Sequence, residues 1–291
     1  MSPPAPFGDV LVVGDVMVDL VITHTGPVAV DSDTPSRIRP GGGGSAANTA
    51  CWLGHLGVPV RLLAAVGDDA WSQWVSDDLH ASGVALVGPI LSDAVTGTCA
   101  VLVGPDGERT MFPDRGANDQ MAAEHVPTAF APVPGWVHLS GYTLLGQGSR
   151  DAGRAVMDAA RDAACPVSVD ASSTGPLLAV GPDRFLSWIE GAAVVFANGM
   201  ELAALGGEEA VLAHADALVI KHGARGATWT DGNRRLTTPG VRVDLVDSTG
   251  AGDAFAAGWI AARGQGLDEQ DALDAGAVTG AQAVTAPGAR P

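Results

Sequence analysis

A late stretch of the chain, DSTGAGDAFAAGW at residues 247–259, places an acidic side chain where the backbone is nearly bare. Gly250, Ala251 and Gly252 carry almost no side chain, so their amide groups can converge on one anion, and the helix predicted to follow adds its positive end. Asp253 can accept a proton from a hydroxyl group. Together these features predict phosphoryl transfer to an alcohol. The alternative is an ordinary helix N-terminal carboxylate, which does not require small residues on both sides.

An earlier glycine-rich stretch, GGGGSAAN at residues 41–48, has two interpretations. It is typical of a flexible loop that enters a helix, or of bare backbone that a ligand approaches, with Asn48 offering an amide group. It also matches the degenerate dinucleotide pattern G-x-G-x-x-A. A dinucleotide fold, however, places its glycines directly after the first strand and an acidic ligand after the second. We therefore expect no nicotinamide oxidoreductase.

The composition limits the partners of this 291-residue chain, which is 46% hydrophobic and has a formal net charge of −17. This charge argues against nucleic acid and against an anionic membrane surface, so an anionic substrate needs a metal ion, an arginine or backbone amides. Lys221 is the only lysine, and the usual P-loop pattern is missing.

The three cysteines are scattered, the first residues lack a signal-peptide pattern, and no apolar run reaches transmembrane length. These observations predict a cytoplasmic protein.

The elements that position these motifs follow a regular strand–helix alternation. This alternation predicts an α/β fold with a mainly parallel sheet flanked by helices. Two polar hairpin regions, approximately residues 18–40 and 97–112, interrupt it and predict a small β-lid, the second region around the turn PDG at 105–107. A helix is predicted over 45–57 with Ser45 as its N-cap. Because no long linker is present, we expect residues 1–291 to form a single domain.

Both glycine-rich motifs resemble signatures of the ribokinase-like family of carbohydrate and nucleoside kinases, also called the phosphofructokinase-B family. The first signature is similar to GGSAAN at 43–48 followed by LGHLG, and the second is similar to DSTGAGDAFAAGW. Further similar segments are VVGDVMVDL near the start, VGDD at 66–69 and KHGARG at 221–226. The resemblance implies a three-layer ribokinase-like fold and an ATP- and Mg²⁺-dependent kinase with a small sugar or sugar-like acceptor.

The resemblance also implies roles for the matching residues. Asp253 is the expected catalytic base, and the amides of Gly250, Ala251, Gly252 and Asp253 form the expected anion hole for the γ-phosphoryl group. The expected acceptor-binding residues are Asp19, Gly43, Gly44 and Asn48. The expected ATP-binding residues are Asn198, Lys221, Gly223, Gly250 and Gly252. Glu201 is expected to organise Mg²⁺ through water, and Asp247, Thr249 and Gly288 match a loop that binds K⁺ in some members. Lid strands often pair across a homodimer in this family.

The chain departs from ribokinase itself at three positions. Ribokinase carries a lysine where Ser45 stands, an asparagine where Met17 stands, and a glutamate near Ser140. The departures put ribose in doubt as the acceptor, but not a sugar or sugar-like alcohol. Arg115 lies where lid residues of several ketose and keto-sugar-acid kinases reach the substrate, so it is expected to bind a carboxylate or phosphate. The alternative is a surface arginine beside a turn.

Two other functions stay open at this point. An aromatic pocket would favour a nucleoside kinase on the same scaffold, but Tyr142 is the only tyrosine and the first lid region has no aromatic residue, which weakly disfavours a nucleoside. A ligand-binding regulator without catalysis is disfavoured by the intact Asp253 and anion hole. Taken singly, Asp19 is also explained as a solvated lid residue, Asn198 as a strand-end turn residue and Glu201 as a first-turn helix carboxylate.

Overall fold

The computed structural model describes residues 7–105 and 108–291. The strands in these ranges are β1 (Val10–Val13), β2 (Met17–His24), β3 (Ser36–Gly43), β4 (Val60–Leu63), β5 (Val66–Gly67), β6 (Val84–Leu86), β7 (Ile90–Leu91), β8 (Thr98–Val103), β9 (Arg109–Asp114), β10 (Trp136–Ser140), β11 (Val167–Asp170), β12 (Val194–Asn198), β13 (Leu218–Lys221), β14 (Ala227–Thr230) and β15 (Arg235–Thr238). The helices are α1 (Ser45–His55), α2 (Ala70–Ala81), α3 (Val126–Ala129), α4 (Gly141–Leu145), α5 (Arg150–Asp162), α6 (Thr174–Val180), α7 (Pro182–Trp188), α8 (Gly199–Ala204), α9 (Glu208–Leu212), α10 (Ala251–Gly264) and α11 (Glu269–Ala283). None of the helices in the described part of the chain has the length and apolarity needed to cross a membrane.

Nine strands form the central sheet, in the order β15-β14-β13-β12-β11-β10-β1-β4-β6. All neighbours from β6 to β13 are parallel, whereas β14 and β15 add an antiparallel edge. Strand β1 is VLVV and is fully buried, as expected for a parallel strand that is covered on both faces. The chain first builds the sheet outward from β1 through β4 and β6, and then resumes on the other side at β10. The strand order therefore reverses next to β1, which is where open α/β sheets bind ligands.

Helices cover both faces of this sheet and produce three layers. Alternate residues of β1 point to opposite faces: Val10 and Val12 belong to one hydrophobic cluster, and Leu11 and Val13 to the other. Helices α1, α2, α10 and α11 pack on the first face, and the helices from α3 to α9 pack on the second. The predicted α/β fold class is confirmed.

A second sheet, in the order β3-β2-β8-β9, lies beside the central one and is built from the two hairpin regions. Strand β2 pairs antiparallel with β3 and parallel with β8. The predicted turn between β8 and β9 includes Asp106 and Gly107, which lie outside the described residues. We refer to this four-stranded sheet as the lid sheet.

The glycine-rich stretch is not the flexible loop that one interpretation expected. Gly41, Gly42 and Gly43 end β3 and pair with Asp19, Val18 and Met17 of β2. A side chain on Gly43 would overlap the Asp19 carboxylate, and one on Gly42 would overlap the guanidinium of Arg290. Glycine is needed here because other side chains occupy the space beside the strand.

The predicted start of α1 is also corrected. Ser45 is the first helical residue rather than the N-cap, and the helix ends at His55 rather than at residue 57. The N-cap is Gly44, whose φ of 91° favours glycine, and it provides no side-chain cap. The hydroxyl group of Ser45 is therefore free to bond elsewhere.

Phe196 of β12 offers a test of the core. Its side chain is fully buried and contacts the rings of His138, Phe255 and Trp259. We expect Phe196→Ala to lower the free energy of unfolding by about 3–5 kcal/mol, because it removes apolar contacts and leaves a cavity. Urea denaturation measures this, with Met200→Ala as the control, since Met200 is 70% exposed. Equal losses in both variants would contradict this account of the core.

Candidate active site

The two glycine-rich motifs meet at Asp253, in the first turn of α10. Each oxygen of its carboxylate accepts a hydrogen bond from α1: Ser45 Oγ donates to Oδ1 at 2.8 Å, and Asn48 Nδ2 donates to Oδ2 at 2.9 Å. Burial raises the pKa of Asp253 to about 7, although the hydrogen bonds from Asn48 and Ser45 act in the opposite direction. A carboxyl group with this pKa exchanges its proton near neutral pH, which suits a general base.

Free amide groups lie at the start of α10, beside this carboxylate. Gly250 precedes the helix with a left-handed φ of 73°, and a side chain there would overlap Ala289. The amide of Ala251 is a long 3.4 Å from the carbonyl oxygen of Ser248. The amides of Gly252 and Asp253 make no hydrogen bond to any residue in the described ranges. Because these amides also lie at the positive end of the helix, they can bind an anion.

Lys221 supplies a positive charge to the same place. Its Nζ lies 3.1 Å from the position that a Cβ on Gly252 would take, and it donates a 2.7 Å hydrogen bond to Asp170 Oδ2. Burial alone would lower the pKa of Lys221, but the negative charges of Asp170 and Glu201 outweigh burial and raise it. Asp170 was missed in the sequence, where its only signal is its position at the end of a predicted strand. The ion pair directs the ammonium group towards the free amides.

Asn198 and Glu201 form a reciprocal cap at the start of α8. Asn198 Oδ1 accepts from the amides of Met200 and Glu201, and the Glu201 carboxylate accepts from the amide and the Nδ2 of Asn198. Burial raises the pKa of Glu201, opposed by Lys221 and Asn198. Asp170, Asn198 and Lys221 each end a parallel strand, so these groups share the carboxyl edge of the sheet. No group of three or more His, Cys, Asp or Glu side chains in the described ranges is arranged to hold a metal ion.

Two cavities are lined in part by residues of the segment 247–252. Ser248, Ala251 and Gly252 line the first, of about 580 Å³, which also contains Lys221 and Gly223. Its apolar wall is formed by Val241, Val243, Leu245, Phe255 and Val284. Asp247 and Thr249 line the second, of about 920 Å³, whose other wall is the lid sheet. We refer to these as the first cavity and the lid cavity. Five residues of the DSTGAGD motif are thus divided between the two walls, whereas Gly250 and Asp253 line neither cavity.

The predicted acceptor residues cluster at the end of β3. Asp19 lines the lid cavity, and burial raises the pKa of its carboxyl group to about 6. Its carboxylate lies against Gly43, and Gly44 connects Gly43 to α1. Asn48 joins this cluster to Asp253 through its side-chain amide. Asp19 is therefore linked to Asp253 through Gly43, Gly44 and Asn48, and of these four predicted residues Asp19 is the one that lines the lid cavity.

Arg115 lies apart from this cluster. Its Nε donates to Asp119 Oδ1 at 2.7 Å, its guanidinium lies over the ring of Tyr142, and it lines neither cavity. Its expected contact with a substrate stays a prediction. The arginines that do line the lid cavity, which sequence reasoning missed, are Arg37, Arg39, Arg109 and Arg290.

The residues of the expected cation loop also lie together. Asp247 Oδ1 accepts from the amide of Thr249, and Oδ2 accepts from the amide of Gly288, each at 2.8 Å. Arg109 of the lid sheet forms a short ion pair with the same carboxylate. These hydrogen bonds, with that of Arg109, hold the pKa of Asp247 below its usual range even though burial opposes the shift. The side chain of Asp247 therefore already has a positive partner.

Comparison with known proteins identifies the family of the chain. A model of the pfkB family of carbohydrate kinases matches residues 8–291. The chain belongs to this family. It is 34% identical over 257 residues to the ATP-dependent ribose-1-phosphate kinase of Halopiger xanaduensis, a match that covers 87% of this chain and 83% of the relative. The expected family is therefore confirmed, and with it a phosphotransferase that acts on an alcohol group.

Solved structures of other kinases share the fold. An E. coli protein described as a ribokinase II, in complex with ATP and Mg²⁺, superposes with a TM-score of 0.86 at 23% identity and covers 97% of this chain and 94% of its own. The adenosine kinase of Sinorhizobium meliloti also has a TM-score of 0.86 at 23% identity, covering 99% of this chain and 96% of its own. The three-layer ribokinase-like architecture is therefore confirmed.

The buried pair between Lys221 and Asp170 gives a prediction for this pfkB-family kinase. We expect Asp170→Asn to lower the free energy of unfolding at pH 7 by about 3–5 kcal/mol, because it leaves the ammonium group buried without its carboxylate. Urea denaturation measures the loss. The control is Asp158→Asn, which breaks an exposed pair with Arg161 and should cost less than about 1 kcal/mol. Recovery of stability in Asp170→Leu/Lys221→Met would show that the unpaired charge causes the loss, whereas no recovery would contradict this cause.

Proposed function

We propose that this chain transfers the γ-phosphoryl group of ATP to a hydroxyl group of a small sugar or sugar derivative, with Asp253 as the general base. The observation that carries the proposal is the position of Asp253: its carboxylate is held by Ser45 and Asn48 of one motif and adjoins the free amides of the other. Asp253 belongs to the DSTGAGD motif, and other residues of this motif line the first cavity and the lid cavity. One cavity suits the nucleotide and the other suits the acceptor.

In the proposed reaction, Asp253 removes the proton of the acceptor hydroxyl group as the hydroxyl oxygen attacks the γ-phosphorus. A new oxygen–phosphorus bond forms, the bond to the bridging oxygen breaks, and ADP is released. The amides of Gly250, Ala251, Gly252 and Asp253 stabilise the charge on the moving phosphoryl group. Lys221, oriented by Asp170, adds a full positive charge there, which helps because the overall charge of the chain opposes an anion.

The first cavity is assigned to ATP. Its apolar wall suits a nucleobase, and its lining also includes Gly223 and Lys221, whose ammonium group lies beside Gly252. Mg²⁺ prefers oxygen ligands and keeps several waters, which fits the oxygen-rich edge formed by Asn198 and Glu201. Both carboxylate oxygens of Glu201 already accept hydrogen bonds, so these residues would hold the ion through water. When bound, Mg²⁺ neutralises charge on the phosphate oxygens.

The lid cavity is assigned to the acceptor, with Asp19, Gly43, Gly44 and Asn48 as its binding residues. The lid regions, approximately 18–40 and 97–112, are proposed to exclude water from the reaction within a single domain. Apolar Ile38 and Phe112 are exposed on the lid sheet, which supports a homodimer through the lid strands. A cytoplasmic location and activation by K⁺ beside Asp247, Thr249 and Gly288 complete the proposal.

A nucleoside is the second candidate acceptor, because one structural neighbour is an adenosine kinase. The relative with 34% identity is named for a ribose phosphate instead, which favours a sugar derivative. The lid cavity supports the same choice, because its lining contains arginines and no aromatic side chain among the residues that the structure describes. A nucleobase would lack a stacking partner there.

The role of Asp253 is tested by substitution. We expect Asp253→Asn to lower kcat by about 10²–10⁴-fold, because the amide cannot accept the proton. The affinity for ATP should change little. ADP release is measured with Mg-ATP and a panel of sugars, sugar phosphates and nucleosides, in K⁺ and in a K⁺-free buffer. Asp271→Asn, the same change in the first turn of α11, is the control, and an unaltered rate in Asp253→Asn would remove Asp253 from the mechanism.

The pH dependence gives a second test. Because the base acts deprotonated and its pKa is about 7, kcat/KM should rise with pH and level off above neutrality. Ser45→Ala removes a hydrogen bond that lowers this pKa, so the rise should move to higher pH by about one unit. Ser187→Ala, on the exposed side of α7, serves as the control with the same acceptor. A profile unchanged in Ser45→Ala would contradict the assignment of the titrating group to Asp253.

A further inference from the structure

The lid cavity concentrates positive charge in an acidic protein. The chain has a formal net charge of −17 and only 16 lysines and arginines, yet four arginines line this one cavity. They come from distant parts of the chain: Arg37 and Arg39 from β3, Arg109 from β9 and Arg290 from the segment after α11. Folding therefore assembles a basic site that the composition does not indicate.

The pairing of the lid sheet explains this clustering. Across one row, Arg37 is opposite Thr23, Thr23 is opposite Val103, and Val103 is opposite Arg109. The two edge strands of the lid sheet, β3 and β9, therefore each carry an arginine at the same register position. Arg39 is two residues from Arg37, so it points to the same face of the sheet. Three guanidinium groups therefore face the lid cavity from one surface.

The acidic residues of the cavity do not cancel this charge. Asp247 pairs with Arg109, and Asp78 pairs with Arg290. Asp19 is the remaining carboxyl group of the lining, and its pKa is raised to about 6 by burial. The side chains of Arg37 and Arg39 form no hydrogen bond or ion pair with any residue in the described ranges, and both are exposed. These two arginines are available for a ligand.

Arg290 connects the basic site to the catalytic carboxylate. Its Nε donates to Asn48 Oδ1 at 3.2 Å, and one terminal nitrogen donates to the carbonyl oxygen of Gly43 at 2.8 Å. Asn48 in turn donates to Asp253. A ligand that contacts Arg290 therefore lies close to the group that would remove a hydroxyl proton, and Arg37 and Arg39 line the same cavity as Arg290.

We propose that the acceptor is a phosphorylated sugar whose phosphate group binds Arg37 and Arg39, with Arg109 and Arg290 adding positive charge around it. Guanidinium groups match phosphate oxygens in geometry and form strong charge-assisted hydrogen bonds. A phosphate dianion needs more than one such partner to enter a chain of net negative charge. The assignment of this ligand as the acceptor rests on the proposed function, but its binding does not.

Equilibrium binding tests the inference without catalysis. Titration calorimetry on the full chain compares ribose 1-phosphate, ribose 5-phosphate and fructose 6-phosphate with ribose, fructose and gluconate. We expect at least one phosphate ester to bind about a hundredfold more tightly than its parent sugar. In Arg37→Ala/Arg39→Ala this preference should fall below about tenfold, while the affinity for the parent sugar stays unchanged.

The control is Arg154→Ala/Arg161→Ala, which removes two exposed arginines from α5 and should keep the preference. Thermal unfolding checks that both double variants fold, as expected because none of the four side chains is buried. The inference is overturned if no phosphate ester binds, if a parent sugar or gluconate binds as tightly as the esters, or if Arg37→Ala/Arg39→Ala keeps the preference. Ester binding without ADP release would refute the proposed function alone, and ADP release from neutral sugars alone would refute this inference alone.

Discussion

The site depends on the contact between α1 and α10, which places Asp253 against Ser45 and Asn48. These two helices contact each other on the same face of the central sheet, and Ala46, Ala47 and Ala254 are among the buried residues of that face. Close packing of the helices lets short side chains reach the carboxylate directly. Asp253 is half-buried at this contact, so burial and hydrogen bonding act on its pKa in opposite directions, and burial is the larger effect. The proton affinity of the site is thus a consequence of helix packing.

Charge is distributed unevenly in this acidic chain. Lys221 is paired with Asp170 and its ammonium group lies beside Gly252 of α10, so a positive group is present where a phosphoryl group would lie. The arginines of the lid cavity form a second basic region on the other side of the DSTGAGD motif. Both regions are local exceptions to the overall charge, which is how an acidic protein can bind two anionic ligands.

Glycines at this site are required by neighbouring side chains as well as by backbone conformation. Gly42 and Gly43 leave room for Arg290 and for Asp19, which would otherwise overlap a Cβ atom. Gly250 adopts a left-handed φ and also adjoins Ala289. The segment after α11 therefore packs against both glycine-rich motifs, and it links the lid cavity to the start of α10. The lid sheet makes a further link through the pair between Arg109 and Asp247.

The amino-acid sequence by itself determined the α/β alternation, the two hairpin regions, the family and the free amides at the start of α10, because each of these follows from local patterns of apolar, turn and glycine residues. It did not determine that Gly41, Gly42 and Gly43 end a strand, or that the Ser45 hydroxyl bonds Asp253 instead of capping its own helix. It also gave no indication of the Asp170–Lys221 pair or of the four arginines in one cavity. Ser45 and Asp253 are 208 positions apart, and Arg290 and Asn48 are 242 apart. Contacts of this kind have no local signal, because they are set by which helices and strands pack together, and only the tertiary structure decides that.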